Sequence, residues 1–168
     1  MTDDILRTLN IRELLDKKSA FLFGARSTGK STLWRTQLGK DALDIDLLRS
    51  QHYLTLARNP SELEAIIAAS DKPYVVIDEI QKIPPLLDEV HRLIEERKIK
   101  FLLTGSSARR LKREHANMLG GRATQAQLFP LTWHELTQNK TFKLDRYLQF
   151  GSLPRVYLSS TPQDELFD

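Results

Sequence analysis

Short apolar runs, each followed by a loop and then by helical spacing, recur along most of the chain. Residues 20–23, 74–77 and 99–104 are the clearest of these runs, and residues 74–77 place four apolar side chains in a row. A run without alternation is typical of a strand that is buried on both faces, as in a parallel sheet covered by helices. The pattern therefore predicts an α/β fold.

Weaker patterns predict two further strands and additional helices. Residues 43–47 and 124–129 are the two strand candidates. Leucine and isoleucine side chains at helical spacing predict one or two short helices over residues 3–16, with Asn10 as a break or a cap. A Pro-Pro pair at residues 84–85 opens another helix, which carries its apolar side chains on one face.

The capping-box pattern, a serine or threonine followed three residues later by glutamate, occurs at two predicted helix starts. Ser61 with Glu64 and Thr132 with Glu135 form the two pairs. In such a pair the hydroxyl and the carboxylate each bind a backbone N–H group of the first turn. We therefore predict that helices begin at these two places.

The stretch GARSTGKS at residues 24–31 lies between the first apolar run and a helical segment. It fits the phosphate-binding pattern G-x-x-x-x-G-K-[ST], whose glycines let backbone N–H groups approach phosphate oxygens. Lys30 can reach the β- and γ-phosphates, and Ser31 can offer its hydroxyl to Mg²⁺. An ordinary glycine-serine turn is the alternative, but the strand–loop–helix context favours a P-loop for ATP. The predicted nucleotide contacts here are Gly24, Ala25, Arg26, Ser27, Thr28, Gly29, Lys30, Ser31 and Thr32.

Two carboxylates, Asp78 and Glu79, directly follow the apolar run at residues 74–77. They stand at the carboxyl end of a predicted strand, where open α/β sheets bind ligands. In a P-loop protein this is the Walker B pattern: Asp78 would hold Mg²⁺, and Glu79 would act as general base on the attacking water. A solvated strand end is the alternative interpretation of the same two residues.

Small polar residues end the run at residues 99–104. Thr104 and Ser106 would lie beside the γ-phosphate if their strand neighbours the P-loop strand. A helix N-cap formed by Ser106 or Ser107 is an equally good interpretation, and the two are compatible.

Composition adds few constraints. The chain has 168 residues, no cysteine and a net charge of +3, which is compatible with nucleic-acid contact without arguing for it. The first residues lack the basic-then-apolar profile of a signal peptide, and no apolar run approaches a membrane span. The four histidines lack metal-ligand spacing. We expect a cytoplasmic protein without membrane association.

Six segments together resemble one protein family: GARSTGKS, VVIDEIQ, LLTGSSARRL, GGRA, LFPLTWHEL and GSLP. They are similar to a family of bacterial and archaeal AAA-type P-loop ATPases, whose members carry a C-terminal domain of unknown function after the ATPase domain. The resemblance covers nearly the whole chain. The first two segments are generic to P-loop ATPases, and the forms DEIQ and TGSS are more specific.

The resemblance implies a three-layer P-loop NTPase fold with a parallel five-stranded sheet in the order 5-1-4-3-2. Thr104 or Ser106 would then be the polar sensor of the γ-phosphate. Arg122 falls where AAA-type proteins keep an arginine finger that acts on a neighbouring subunit, and an ordinary surface arginine is its alternative. Together with Lys30 and Glu79 it completes the expected catalytic set. The family also resembles signalling-type ATPases whose Gly-x-Pro turn touches adenine, which makes Pro154 a candidate contact.

The expected organisation is an ATPase core at residues 1–140, followed at 141–168 by the start of a helical lid or C-terminal region. A helix start signal close to the last residue leads us to expect a truncated chain. The favoured function is hydrolysis of Mg·ATP coupled to an unknown partner or substrate. The alternative is a nucleotide-dependent switch that recruits protein or DNA. A small-molecule kinase is less favoured, because residues 49–72 offer only Arg49 and Arg58 for an arginine-rich lid.

Overall fold

The computed structural model describes residues 5–106, 111 and 118–166. Its strands pair in parallel in the order β2-β3-β4-β1-β5. Read from the other edge this is 5-1-4-3-2, so the predicted order is confirmed. The strands are β1 Ser19–Phe23, β2 Ala42–Asp46, β3 Tyr74–Asp78, β4 Lys100–Gly105 and β5 Ala123–Gln127.

Helices precede, connect and follow the strands. In chain order the α-helices of the described residues are α1 Ile11–Lys17, α2 Lys30–Leu38, α3 Ser50–Arg58, α4 Glu62–Ala68, α5 Leu86–Arg97, α6 Trp133–Gln138, α7 Leu144–Phe150 and α8 Pro154–Tyr157. Short 3-10 turns occur at Gly39–Asp41, Ile80–Lys82, Met118–Gly121 and Asp164–Leu166. None of these helices combines the length and the apolar character that crossing a membrane requires.

Alternating side chains of the central strands form two apolar clusters, one on each face of the sheet. Phe21 and Phe23 point to the face that α3, α4 and α5 cover. Ala20 and Leu22 point to the opposite face, which α1 and α2 cover. Because successive side chains of a strand alternate between faces, a strand that is apolar at every position needs cover on both sides. The three-layer α/β fold is thus confirmed.

The capping box predicted at Ser61 is wrong. The Ser61 side chain makes no capping hydrogen bond, although α4 begins at the next residue. Glu64 instead accepts hydrogen bonds from Arg92 at 2.6 Å and from Arg97 at 2.7 Å. Two guanidinium groups on α5 therefore hold the carboxylate that the local pattern assigned to the helix start.

The starts of α6 and α1 agree with the caps predicted from the sequence. Thr132 and Glu135 form the predicted capping box at the start of α6. Asn10 is the N-cap of α1 and accepts a hydrogen bond from the Glu13 N–H group. Residues 5–9 are not helical and α1 begins at Ile11, so the described part of the predicted 3–16 segment holds one helix. Residues 3 and 4 of that prediction lie outside the described residues.

The strand order brings the predicted site residues to one edge of the sheet. Strand β4 lies between β1 and β3, with Phe23 opposite Gly105 and Ile77 opposite Leu103. Gly24, Asp78 and Thr104 stand at or just past the carboxyl ends of these three strands. Parallel strands place those ends side by side, and ligand sites of open α/β sheets form there.

Candidate nucleotide-binding site

The loop between β1 and α2 has the backbone of an anion-binding turn. Ser27 and Gly29 have φ angles of 63° and 89°, both in the left-handed region. Gly29 is the residue immediately before α2, so the loop ends on the N-terminal end of that helix. Left-handed residues before a helix turn backbone N–H groups toward a common point, which suits a phosphate.

Gly24 is required by the neighbouring strand. A Cβ atom at this position would clash with the backbone oxygen of Leu128. Leu128 lies there because its N–H group donates to the Phe23 carbonyl at 2.7 Å and extends the pairing of β5 with β1. The first glycine of the loop therefore permits close packing of two backbones.

Lys30 is buried, and its ammonium group lies inside the loop. Its Nζ atom donates to the carbonyl oxygens of Gly24 at 2.7 Å and Ala25 at 3.1 Å. Burial lowers the Lys30 pKa, and the nearby Glu79 and Asp78 carboxylates partly oppose this shift. An ammonium has three protons, so two can hold the loop while one remains for a phosphate oxygen.

Asp78 is held by two hydroxyl groups. Ser31 donates from Oγ to the Oδ2 atom of Asp78 at 2.8 Å, and Thr104 donates from Oγ1 to its Oδ1 atom. Thr104 is fully buried, so it contacts Asp78 rather than the cleft. The role of Thr104 or Ser106 as polar sensor of the γ-phosphate stays a prediction.

The donor set at Asp78 and Ser31 fits Mg²⁺. A carboxylate and a hydroxyl are hard oxygen ligands, and Mg²⁺ is usually bound by one or two carboxylates together with phosphates and water. The described part of the chain contains no group of three or more acidic or histidine side chains placed to hold a metal. Phosphate oxygens and water would therefore supply the remaining ligands.

Glu79 follows β3 in a conformation that few non-glycine residues adopt. Its φ and ψ angles are 60° and 45°, in the left-handed region. Strain of this kind costs roughly 1–3 kcal/mol and is concentrated at functional sites. The consequence is a sharp change of chain direction that places Glu79 on the wall of the cleft beside the P-loop.

The cleft above these strands has a volume of about 530 Å³, within the range of small-molecule sites. Predicted contacts make up most of its wall, together with Leu48, which was not predicted. Leu48 follows β2 and its side chain is largely exposed. The lining residues are Arg26, Ser27, Gly29, Lys30, Ser31, Thr32, Leu48 and Glu79.

Arg7 supports the P-loop from the N-terminal segment, a role that the sequence did not reveal. Its guanidinium donates to the carbonyl oxygens of Thr28 at 2.9 Å and Phe129 at 2.6 Å. Its Nε atom donates to Glu135 at 2.9 Å, and both side chains of this ion pair are buried. One cation therefore connects the P-loop, the segment after β5 and helix α6.

Glu135 remains ionised in this buried position because N–H groups surround it. Burial by itself raises its pKa, but the backbone N–H of Thr132, the Arg7 side chain and the backbone N–H of Thr8 outweigh burial and lower the pKa overall. The Thr8 and Thr132 backbone bonds are both 3.0 Å long. Hydrogen bonds to the charged form of a carboxylate have this effect.

Pro154, the candidate adenine contact, lies beside the P-loop. It begins α8, and its Cγ atom is 3.9 Å from the position that a Cβ atom on Gly29 would take. The fold therefore brings Pro154 close to Gly29 of the loop. Contact with adenine stays a prediction.

Arg122 lies far from this cleft. It immediately precedes β5, whose first residue pairs with Ser19 at the start of β1, whereas the P-loop follows the end of β1. Its Nε atom forms an ion pair with Glu95, and its Nη1 atom donates to the Gly120 carbonyl at 3.3 Å. Arg122 therefore does not line the cleft of its own chain, and its role as an arginine finger stays a prediction.

Comparison with known proteins places these features in a wider group. The profile of a family described as AAA domain matches residues 16–137. A protein of Haemophilus influenzae described as uncharacterized is 26% identical over 165 residues; the match covers 84% of this chain and 41% of that protein. The chain therefore spans about two fifths of the length of this curated relative.

Two solved structures share the fold. The Aeropyrum pernix ORC2 protein in its ADP form has a TM-score of 0.56 at 13% identity, over 94% of this chain and 64% of that one. Its ADPNP–ADP complexes give 0.50 at 15% identity, over 83% of this chain and 53% of that one. At such identities the likeness concerns the fold alone.

Proposed function

Because the chain belongs to the AAA domain family, we propose that it binds Mg·ATP in the cleft at the carboxyl ends of β1, β3 and β4 and hydrolyses it. One observation carries this proposal. A buried lysine inside a P-loop, a serine hydroxyl bonded to Asp78 and a strained glutamate meet in one cleft. Together they offer a phosphate cradle, a metal ligand set and a base.

Each group has a distinct task in this proposal. The N–H groups of the loop and the Lys30 ammonium bind the β- and γ-phosphates and stabilise the negative charge that develops in phosphoryl transfer. Ser31 and Asp78 would hold Mg²⁺, which supplies charge neutralisation when it is bound. Glu79 accepts a proton from the attacking water, whose oxygen then bonds to the γ-phosphorus as the bond to the β-phosphate oxygen breaks.

The remaining assignments follow from the positions of the residues. Residues 1–140 would form the ATPase core and residues 141–168 the start of a lid or C-terminal region, with Pro154 against the adenine. Arg122 would act in trans within a homo-oligomer. Arg122 stands just before β5, at the end of that strand away from the cleft, and its side chain is partly exposed. Both observations support this assignment.

The decisive experiment measures phosphate release and ATP binding on the same preparations. Glu79→Gln keeps the size of the side chain and removes the basic carboxylate. We expect turnover to fall by at least ~10²-fold with ATP binding nearly unchanged. Glu62→Gln is the matched control, because Glu62 is exposed on α4 and should leave both quantities unchanged.

The alternative function gives a different result in the same assay. A nucleotide switch binds ATP with the P-loop intact but releases negligible phosphate, even when a protein or DNA partner is added. ADP formation that requires an added acceptor, with the phosphoryl group transferred to that acceptor and no free phosphate released, would instead indicate a kinase. Normal turnover by Glu79→Gln would place the base elsewhere.

A further inference from the structure

Gln81 connects the proposed base to the end of β4. It lies in the 3-10 turn Ile80–Lys82 and is buried, with 6% of its surface exposed. Its Nε2 atom donates to the Oε2 atom of Glu79 and to the Oγ atom of Ser106, the latter at 3.2 Å. One amide group thus touches both a candidate base and a candidate γ-phosphate sensor.

The orientation of this amide follows from its partners. An ionised carboxylate only accepts hydrogen bonds, so the end of Gln81 that faces Glu79 must be the NH₂ group. The carbonyl end then faces Gly105, where a Cβ atom would lie 2.5 Å from Oε1. Glycine at this position is what leaves room for the amide, because a real Cβ contact is essentially never that short.

The hydrogen bond to Glu79 has a consequence for its chemistry. A carboxylate has two oxygens, and Gln81 occupies Oε2, so Oε1 remains to take a proton from water. The left-handed backbone of Glu79 and the amide restrain the two ends of the same side chain. A base that is held at both ends keeps one approach to the attacking water, and catalysis depends steeply on such alignment.

We propose that Gln81 is a positioning residue, which orients the Glu79 carboxylate for proton abstraction and links that orientation to Ser106 at the end of β4. This inference rests on the proposed function. It deepens that function by adding a residue that touches neither phosphate nor metal and acts through the base.

The main test is a double-mutant cycle. Gln81→Leu keeps much of the side-chain volume and removes the hydrogen bonds, and we expect kcat to fall about 10- to 100-fold with the dissociation constant for ATP unchanged. Gln51→Leu, at an exposed position on α3, is the matched control and should not alter kcat. In a Glu79→Gln background, Gln81→Leu should cause no further fall in kcat, because the carboxylate through which Gln81 acts is absent. An equal loss in both backgrounds would overturn the positioning role.

A second variant leaves Gln81 itself intact. Gly105→Ala should displace the amide and lower kcat, whereas in a Gln81→Ala background the added methyl group has room and should change little. Thermal melts confirm that each variant is folded. A Gly105→Ala protein that is folded and fully active would overturn the proposal.

The same data separate this inference from the function on which it rests. A wild-type protein that binds ATP but releases no phosphate would overturn both. Wild-type turnover that is lost in Glu79→Gln, combined with additive losses in the cycle, would overturn the role of Gln81 alone.

Discussion

Replacing Arg7 by methionine should destabilise the protein strongly, because it leaves a buried carboxylate without its cation. The exposed fractions of the two side chains are 8% for Arg7 and 4% for Glu135. Removing one partner of a buried pair typically costs about 3–5 kcal/mol of unfolding free energy. Glu135 would keep its bonds from the backbones of Thr8 and Thr132, so we expect the lower end, about 3 kcal/mol.

Chemical denaturation at pH 7 measures this loss directly. A change of about 3 kcal/mol corresponds to a fall of roughly 6–12 °C in Tm for a chain of this size. Because Arg7 also binds the Thr28 carbonyl of the P-loop, ATP affinity should fall as well. Arg12→Met is a control, since the ion pair of Arg12 with Asp41 is partly exposed and solvent screens such pairs, so they add little to stability.

Acid should remove the contribution of the Glu135 carboxylate to the stability of the fold. Its pKa in the folded protein lies below its ordinary value. The stabilisation is therefore complete above the unfolded pKa of about 4.3 and disappears as the pH falls through the lower folded value. The stability difference between wild type and Glu135→Gln should shrink over that acidic range. A difference that is constant with pH, or an Arg7→Met variant as stable as wild type, would refute the reasoning.

Three further predictions concern the cleft and the finger. Lys30→Ala removes a charge-assisted contact worth ~1.5–3 kcal/mol and should weaken ATP binding by about one to two orders of magnitude; an unchanged dissociation constant by titration would remove the P-loop assignment. Asp78→Asn should abolish the Mg²⁺ dependence of ATP binding, which the same titration with and without Mg²⁺ measures. Specific activity should rise with protein concentration, and Arg122→Ala should abolish that rise. Mixing the Arg122→Ala protein with the Glu79→Gln protein should restore part of the activity. A flat dilution series with an inactive mixture would make Arg122 a surface residue.

The sequence was sufficient where the signal is local. The P-loop, Asp78 and Glu79 each lie within a few residues of the strand that positions them, so spacing alone predicted that they would meet at one edge of the sheet. The apolar runs identified the central strands for the same reason, because a strand covered on both faces must be apolar throughout.

Contacts between distant parts of the chain were missed. Arg7 and Glu135 are 128 residues apart, and no local pattern shows that a single arginine will be buried against a capping glutamate. Gln81 was visible in the DEIQ segment, but its contact with Ser106 depends on the packing of β3 beside β4. The misassigned cap at Ser61 has the same origin, because arginines of α5 bind Glu64.

The place of β1 in the sheet also bears on how the protein is made. Both strands that flank β1 come from the second half of the chain: β4 starts at Lys100 and β5 at Ala123. At about 5–20 residues per second, a ribosome needs roughly 4–15 s to extend the nascent chain from β1 to β4. Throughout that interval an apolar strand and the P-loop sequence leave the ribosome without the neighbours that give them their shape. The phosphate-binding loop therefore cannot take its folded shape until both strands that flank β1 have been synthesised.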